Sequence, residues 1–325
     1  MDNDSRPVVG LLGLGIMGSA MAPNLLAAGF EVIGFDVDAD RMAEFAAAGG
    51  TQAASPGEVA RAAPVIISVL PSVPALDQVV EGEDGILAAG CGDRILIEAS
   101  TLPLQAKQRV HDVSAPRLTI LDCPLSGTGA QAVTRDLLVY ASGNTAAIAR
   151  CIPVFKAIAR AHHDLGVFGN GSKMKFVANL LVSIHNVAAA EAFVLGMKAG
   201  LDPQTIYDVV GDGAGGSRMF SVRGPQMVAD FYEPATMKVE TWQKDMKIIT
   251  DFAVALDCPT PLLNACASVY TGAMARGLGA QDTAAVCAVM ADMARLERAT
   301  PAGIGAASPA PASHSSTQSS PSRRS

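Results

Sequence analysis

The first 170 residues alternate between short apolar runs and longer amphipathic stretches. A helical pattern from Met17 to Ala28 follows the first apolar run, and Gly29 ends it. The apolar runs predict buried strands at 8–12, 31–35, 64–70, 94–97 and 118–121, with further candidates at 137–141 and 163–167. Strands that alternate with helices at this spacing are typical of βαβ units. We therefore predict an α/β domain with a doubly wound parallel sheet over residues 1–167.

The pattern changes after Gly171. Residues 172–199 form one long helical stretch that is apolar on nearly every face and contains no proline. Further helical patterns follow at 203–210, 217–229, 241–256, 260–277 and 281–295. They predict an all-helical C-terminal domain over residues 168–298. Residues 299–325 are rich in alanine, proline and serine without periodicity, a composition that predicts a flexible tail.

The composition narrows the classes of function. Half of the residues are hydrophobic and 17% are charged, as in a globular enzyme, and the net charge of -7 disfavours a nucleic-acid partner. The six cysteines form no CxxC pair and have no histidines at ligand spacing, so we expect reduced thiols and no metal site. Residues 1–6 are too polar for a secretory signal, and no run looks long enough to span a bilayer. We expect a cytoplasmic protein without a membrane partner.

A glycine-rich motif follows the first predicted strand directly. It reads Gly13-Leu14-Gly15-Ile16-Met17-Gly18 and opens a helix. In such a motif the first glycine permits a tight turn, the second lets a pyrophosphate approach the backbone, and the third lets helix and strand pack closely. The N–H groups of the helix amino terminus then bind the phosphates. The motif predicts a Rossmann-type dinucleotide site.

Asp36 ends the second predicted strand, where a carboxylate can accept hydrogen bonds from the ribose hydroxyls of a dinucleotide. It would repel a 2′-phosphate, and Arg41 lies five residues further along, so the sequence favours NAD over NADP. The alternative is that Asp36 only caps a turn. Leu70-Pro71 and Ser100-Thr101 end the third and fourth strands, at the edge of the sheet where ligands bind, although either could be an ordinary loop.

A second loop, over residues 122–130, combines proline, serine and glycine. Its small residues leave backbone N–H groups exposed around Ser126, Gly127 and Thr128. Such an arrangement suits a carboxylate, whereas a flexible turn is the simpler interpretation.

The long apolar stretch carries one polar stripe. Lys175, Asn179, Ser183 and Asn186 fall within an arc of roughly 80° on a helix, and Lys173 lies on another side. A solvated face normally carries several charges, whereas this one has a single lysine and two amides. We interpret the stripe as functional, with Lys175 as the candidate catalytic group. Lys244-Asp245, further along, reads as a surface ion pair.

Four segments taken together resemble the β-hydroxyacid dehydrogenase family over about residues 7–297. They are 13–29, 122–132, 169–179 and 244–253, in this order and spacing. The resemblance implies that Lys175 is the catalytic residue, that Asn179 assists it, and that Ser126 and Gly127 receive the substrate carboxylate. It further implies that Leu70, Pro71 and Thr101 line the cofactor, that Lys244 reaches the cofactor or substrate, and that the protein forms homodimers or homotetramers. Thr128 departs from the usual Ser-Gly-Gly and narrows the pocket.

The expected activity is reversible oxidation of a small β-hydroxy acid, with 3-hydroxyisobutyrate, glycerate, threonate and 4-hydroxybutyrate as open candidates. Arg218 and Arg223 precede the Lys244 segment, and one of them could contact a second polar group of a longer substrate. A 6-phosphogluconate dehydrogenase would need a basic phosphate pocket and a longer helical domain. An imine reductase commonly lacks the lysine, and an inactive nucleotide-binding module would have lost it.

Overall fold

Strands and helices alternate along the first half of the chain, and helices alone fill the second. The computed structural model describes residues 6–90 and 92–298. Within these residues the strands are β1 Val8–Leu12, β2 Glu31–Phe35, β3 Thr51–Gln52, β4 Val65–Ser68, β5 Ile95–Glu98, β6 Thr119–Asp122, β7 Leu125–Ser126, β8 Leu138–Ala141 and β9 Ala161–Asp164. The α-helices of the same residues are α1 Ile16–Ala27, α2 Ala39–Ala47, α3 Pro56–Ala62, α4 Val73–Glu81, α5 Leu104–Ser114, α6 Gly129–Val133, α7 Thr145–Ile158, α8 Asn170–Lys198, α9 Pro203–Asp212, α10 Arg218–Ala229, α11 Val239–Val254, α12 Pro261–Ala275 and α13 Val286–Met293.

Six strands form a parallel sheet in the order β3-β2-β1-β4-β5-β6. Neighbouring side chains along each strand enter different clusters: Val9 and Leu11 pack on one face of the sheet, and Leu12 on the other. Helices cover both faces, which is why the strands read as continuous apolar runs. The predicted doubly wound α/β class is confirmed. The strand order reverses between β1 and β4, and this switch point is where open sheets of this kind bind ligands.

A smaller sheet of β7, β8 and β9 extends the first domain. β7 runs antiparallel to β8, and β8 runs parallel to β9. The strand predicted at 163–167 is only partly correct, because the strand in the structure starts earlier and ends at Asp164. Residues 161–164 pair with β8, and Val167 is largely exposed. β3 and β7 were not predicted, since two residues are too few to show a hydrophobic period.

The second half of the chain packs around α8. This helix contacts α9, α10, α11, α12 and α13, and its Phe193 ring stacks on Phe220 with the ring centres 5.1 Å apart. The predicted all-helical character is confirmed. The predicted helix at 281–295 instead starts with a 3₁₀ turn at Thr283–Ala285, because the Asp282 carboxylate accepts the Ala284 N–H and tightens the first turn. We propose 167/168 as the domain boundary, just before α8; the predicted tail at 299–325 lies outside the described residues.

The length of α8 corrects one expectation. The helix has 29 residues and a mean hydropathy of 1.6 over its most apolar part, so by length and composition alone it could cross a membrane. In the fold, however, it is the central helix of the helical half and contacts five other helices. It also buries the four polar side chains of the predicted stripe, which a packed core can satisfy with hydrogen bonds.

Candidate active site

The glycine motif forms the turn between β1 and α1. Gly13 has a φ of +90°, and a Cβ on it would lie 2.3 Å from the Val69 carbonyl oxygen of the neighbouring strand. A Cβ on Gly18 would lie 2.0 Å from the Gly13 oxygen, so helix and turn pack too closely for any side chain. Over Gly15 the nearest side-chain atom to such a Cβ is the Arg41 guanidinium, 3.5 Å away. The turn therefore leaves its outer face open to a ligand.

Leu14, Ile16 and Met17 complete the motif. The Leu14 N–H donates to Asp36 Oδ2 over 2.6 Å, which ties the turn to the end of β2. Ile16 and Met17 begin α1, whose N-cap, Gly15, has no side chain to satisfy the first-turn N–H groups. These groups suit the phosphates of a dinucleotide, as the motif predicts.

Asp36 is held in place by contacts with the residues that follow β2. Its Oδ1 accepts the Asp38 N–H over 3.0 Å, and Arg41 Nη1 lies 3.7 Å from its Oδ2. Arg41 comes this close although it lies five residues along the chain, because it is in the first turn of α2 and its side chain folds back towards Asp36.

The carboxyl ends of β4 and β5 lie side by side at one edge of the sheet. The Leu70 N–H donates to the Ser100 hydroxyl over 2.8 Å, which joins the two strand ends, and Pro71 follows on the surface. The Thr101 carbonyl accepts a hydrogen bond from Lys244 Nζ over 2.9 Å. Since Lys244 lies on α11, this bond crosses from the helical domain to the sheet, and the interpretation of Lys244-Asp245 as a surface pair was wrong.

The carboxylate loop, residues 126–128, lies beside the glycine turn. A Cβ on Gly129 would lie 2.4 Å from the Cγ2 atom of Ile16, so the two loops are in contact. Ser126 and Gly127 are half-buried at the end of β7. The Thr128 N–H donates to Gln131 Oε1 over 3.0 Å as part of a capping box of α6. That amide is therefore occupied, which removes one of the donors that the sequence assigned to a carboxylate.

The polar stripe of α8 is buried, not solvated, and it divides into two halves. Asn179 donates to Asp245 Oδ2 over 3.1 Å, and Lys175 lies beside the same carboxylate. Ser183 instead accepts the Trp242 indole N–H over 3.1 Å, and Asn186 donates to the Tyr270 hydroxyl and the Thr283 carbonyl. The half with Lys175 lies next to Lys244 and Asp245 of α11, whereas the other half bonds to the helical core.

The charges around Lys175 set its proton affinity. Lys175 is only 8% exposed, and burial lowers its pKa to about 8, with Asp245 opposing and Lys244 reinforcing the shift. Burial also raises the pKa of the Asp245 carboxyl, while Lys244 and Lys175 oppose that change. An amine with a pKa near 8 can both accept and donate a proton at neutral pH.

Comparisons with known proteins find matches over almost the whole described chain. Residues 8–170 match the family described as the NAD binding domain of 6-phosphogluconate dehydrogenase, and residues 169–290 match the NAD-binding domain of NADP-dependent 3-hydroxyisobutyrate dehydrogenase. The chain is 34% identical to an L-threonate dehydrogenase from Cupriavidus necator over 86% of this chain and 94% of that protein. The chain belongs to the β-hydroxyacid dehydrogenase family.

Other members of the family support the same assignment. A 3-sulfolactaldehyde reductase from Escherichia coli is 32% identical over 86% of this chain and 94% of its own length. The crystal structure of a 3-hydroxyisobutyrate dehydrogenase from Salmonella typhimurium is 32% identical, with a TM-score of 0.79, over 87% of this chain and 99% of that one. These matches support an NAD(P)-dependent dehydrogenase, and neither an imine reductase nor an inactive module is needed to explain the chain.

In this β-hydroxyacid dehydrogenase, a buried charge network supports the amino terminus of α8. Lys107 Nζ lies 2.6 Å from Glu98 Oε2 and 2.8 Å from Asp122 Oδ1. The Asp122 carboxylate also accepts the Ser172 N–H and hydroxyl, each over 2.7 Å. Burial by itself lowers the pKa of Lys107, but Asp122 and Glu98 together raise it above its ordinary value. The network therefore fixes the helix three residues before Lys175.

Sequence reasoning missed this network and the role of Asp245. Asp245 was visible beside Lys244, but the pair reads as a surface ion pair because nothing in the local pattern marks it as buried. Glu98, Lys107 and Asp122 lie on three separate elements. A signal was present in the last residues of β5 and β6, where an acidic residue ends each buried apolar strand.

Arg218 and Arg223 have different surroundings, although both lie on α10. Arg223 is buried, and its Nη1 lies 2.8 Å from the buried Asp282 carboxylate, so it serves the helical core. Arg218 is exposed and pairs with Asp136 of the first domain. The sequence could not distinguish the exposed arginine from the buried one, because both lie on the same short helix.

Proposed function

We propose that the enzyme reversibly oxidises a small β-hydroxy acid with NAD, and that Lys175 exchanges the hydroxyl proton. The observation that carries the proposal is the buried Lys175 amine, whose pKa is lowered to about 8, beside Asn179 and Asp245. Lys244 links this group to Thr101 at the cofactor edge of the sheet, and Ile16 links the cofactor turn to the carboxylate loop.

The residues of the first domain fit a dinucleotide. The open face over Gly15 and the uncapped first turn of α1 would hold the pyrophosphate, and Asp36 would hold the adenosine ribose. Leu70, Pro71 and Thr101 would line the nicotinamide half. A bound nicotinamide supplies the acceptor or donor of the hydride.

We propose NAD rather than NADP as the preferred cofactor. The Asp36 carboxylate, fixed by the Leu14 and Asp38 N–H groups, would repel a 2′-phosphate. Arg41 moderates this repulsion because its guanidinium is close to Asp36. We therefore expect Asp36→Ser to raise kcat/KM with NADP relative to NAD, because the substitution removes the repelling charge; a tenfold change corresponds to about 1.4 kcal/mol. Asp38→Ser is the matched control, and a wild-type enzyme that prefers NADP would contradict the assignment.

Lys175 has the position and the proton affinity of a general acid–base. In oxidation the neutral amine takes the proton of the substrate hydroxyl, and in reduction the ammonium returns it. Burial keeps a useful fraction of the amine neutral, while Asp245 stabilises the ammonium when it forms. Catalysis of this type contributes roughly 10²- to 10⁴-fold.

Ser126 and Gly127 are the proposed receptors of the substrate carboxylate. They lie on the loop that contacts the cofactor turn, so an acid bound there would have its carbinol carbon between the cofactor site and α8. Relatives named for L-threonate and 3-sulfolactaldehyde act on small chains with an anionic end, which supports this assignment.

We also propose that the enzyme works as a cytoplasmic homo-oligomer. Met174, Val177 and Leu181 are exposed and share one side of α8, which suits a contact with a second copy. The cysteines in the described part of the chain, Cys123, Cys151, Cys258, Cys266 and Cys287, are free thiols, as is usual in a reducing compartment. Size-exclusion chromatography with light scattering measures the oligomeric state.

The experiment that tests the activity is a substrate panel. The purified enzyme is incubated with 3-hydroxyisobutyrate, glycerate, threonate and 4-hydroxybutyrate, separately with NAD and NADP, and the reduced nicotinamide is followed by its absorbance. We expect turnover of at least one acid with NAD. An enzyme that binds NAD but oxidises none of the acids, and reduces none of the matching aldehydes, would contradict the proposal.

A further inference from the structure

Arg218 reaches across from the helical domain to the first domain. It is the first residue of α10, its side chain is 63% exposed, and its Nη2 lies 2.5 Å from Asp136 Oδ2. Asp136 lies just before β8 in the domain that carries the cofactor turn. The guanidinium therefore stands at the junction of the two domains, with most of its surface open to solvent.

Asp136 is shared by two arginines. Arg160 Nε lies 2.9 Å from its Oδ1, and Gln131 Nε2 donates to its Oδ2 over 2.9 Å. A hydrogen bond from Gln131, together with the charges of Arg218 and Arg160, lowers the pKa of the Asp136 carboxyl. One negative charge thus faces two positive charges, and the cluster keeps a net positive charge in a protein whose overall charge is -7.

The cluster of Arg218, Arg160 and Asp136 lies next to the carboxylate loop. Gln131, which holds Asp136, also accepts the Thr128 N–H of that loop over 3.0 Å. A Cβ on Gly127 would lie 2.5 Å from Leu137 Cδ2 and 3.5 Å from the Asp136 carbonyl oxygen. The positive cluster is therefore a close neighbour of the residues proposed to bind the first carboxylate.

We propose that Arg218 binds a second anionic group of the substrate, so that the preferred substrates are β-hydroxy acids that carry a further carboxylate. This inference rests on the proposed function and assigns its substrate class. Arg218 can leave Asp136 at little cost, because exposed ion pairs contribute little to stability. When Arg218 moves from Asp136 to the substrate, Arg160 stays paired with Asp136, so the Asp136 carboxylate is not left without a positive partner. A guanidinium carries five N–H donors in a fork that fits a carboxylate.

Three compounds of known charge test the assignment. 2-(Hydroxymethyl)glutarate and 3-hydroxyisobutyrate are both 3-hydroxypropanoates substituted at carbon 2, one with a carboxyethyl group and one with a methyl group. The 5-amide of 2-(hydroxymethyl)glutarate keeps the length of the branch without its charge. The kcat/KM of each is measured with the wild-type enzyme, Arg218→Gln and the control Arg276→Gln. Arg276 is also partly exposed and pairs with an aspartate, Asp292, but within the helical domain.

We expect the wild-type enzyme to prefer the diacid to its amide. Arg218→Gln should lower kcat/KM for the diacid by about 10- to 100-fold, as expected for the loss of a hydrogen bond between charged groups. The kcat/KM values for the amide and for 3-hydroxyisobutyrate should stay within about threefold of the wild-type values. Arg276→Gln should leave all three unchanged. An equal loss for all three compounds would show that Arg218 only fastens the domains together and would overturn the inference.

The inference and the proposed function fail in different ways. Oxidation of 3-hydroxyisobutyrate without a preference for the diacid over its amide would overturn the inference alone. No turnover of any of the three compounds by an enzyme that oxidises another acid of the panel would also overturn the inference alone, whereas no turnover of any acid, with either NAD or NADP, would overturn the inference together with the proposed function.

Discussion

At the scale of single residues, the proton affinity of Lys175 depends on two opposing neighbours. Burial and the charge of Lys244 favour the neutral amine, and Asp245 favours the ammonium. Oxidation needs the amine, so kcat/KM in that direction should rise with pH through about 8 and then level off, because the pKa of Lys175 is lowered to about 8. Reduction needs the ammonium, so its kcat/KM should fall over the same range.

Asp245→Asn should move both pH profiles to lower pH. The substitution removes the carboxylate that raises the pKa of Lys175, so burial and Lys244 act unopposed and the amine loses its proton more easily. Initial rates measured from pH 6 to 10 in both directions give the midpoints. Asp251→Asn is the control, since Asp251 lies on the same helix but is exposed and paired with Lys247. A profile that stays in place for Asp245→Asn would show that Asp245 does not act on Lys175.

What the sequence reveals at this scale depends on how local the signal is. The polar stripe with Lys175 lies within one helix, so its period shows it. Asp245 approaches Lys175 only because α11 packs against α8, and that contact joins residues seventy positions apart.

At the scale of elements, α8 combines a catalytic half and a structural half. The sequence places Asn179 and Asn186 on one stripe but cannot tell which bonds each side chain makes. Asn179 bonds to Asp245, whereas Asn186 joins α8 to Tyr270 on α12 and to Thr283. The stripe as a whole was interpreted as functional, and for Asn186 the contacts indicate a structural role.

Alanine substitutions should separate these two roles. Asn179→Ala removes the partner of a buried carboxylate beside Lys175, so kcat should fall by about 10-fold or more with a modest change in stability. Asn186→Ala leaves a buried hydroxyl and carbonyl unpaired, so it should lower the free energy of unfolding by about 1–3 kcal/mol and leave kcat unchanged. Steady-state kinetics and urea denaturation measure the two effects. The opposite pattern would show that the halves are assigned the wrong way round.

The network of Lys107 joins three elements to the start of α8. Lys107→Met should leave Glu98 and Asp122 without their cation and lower the free energy of unfolding by about 3–5 kcal/mol. Where the variant folds, kcat should also fall, because Asp122 holds the turn that precedes Lys175. Lys156→Met, an exposed lysine on α7, is the control in urea denaturation. A stability equal to that of the wild type would contradict the structural role of the network.

At the scale of the whole molecule, the sequence predicts the order of the secondary-structure elements better than the contacts between the two domains. The alternation of apolar runs predicts the parallel sheet because each strand is buried on both faces, and the long period after Gly171 predicts the helical half. The contacts between the halves include bonds of single side chains: Lys244 to Thr101, Arg218 to Asp136 and Ser172 to Asp122. No local pattern specifies such pairs, and the site is assembled from them.

The position of α8 against the first domain is therefore central to the account. Gly171 packs so closely against the carbonyl oxygens of Tyr140 and Asp122 that a Cβ there would lie 2.4 Å and 2.5 Å from them. This contact sets the start of the helix, and Lys175 follows one turn later on the side that faces Asp245.

The most direct test compares Lys175→Met with Lys173→Met. Lys173 lies on the same turn of α8 but is exposed and donates to Asn170. We predict that Lys175→Met lowers kcat by roughly 10²- to 10⁴-fold with the best substrate of the panel while NAD binding, measured by fluorescence titration, is retained. Lys173→Met should behave as the wild type. A Lys175→Met enzyme whose kcat stays within about twofold of the wild type would contradict the role of Lys175 as the proton-exchanging group.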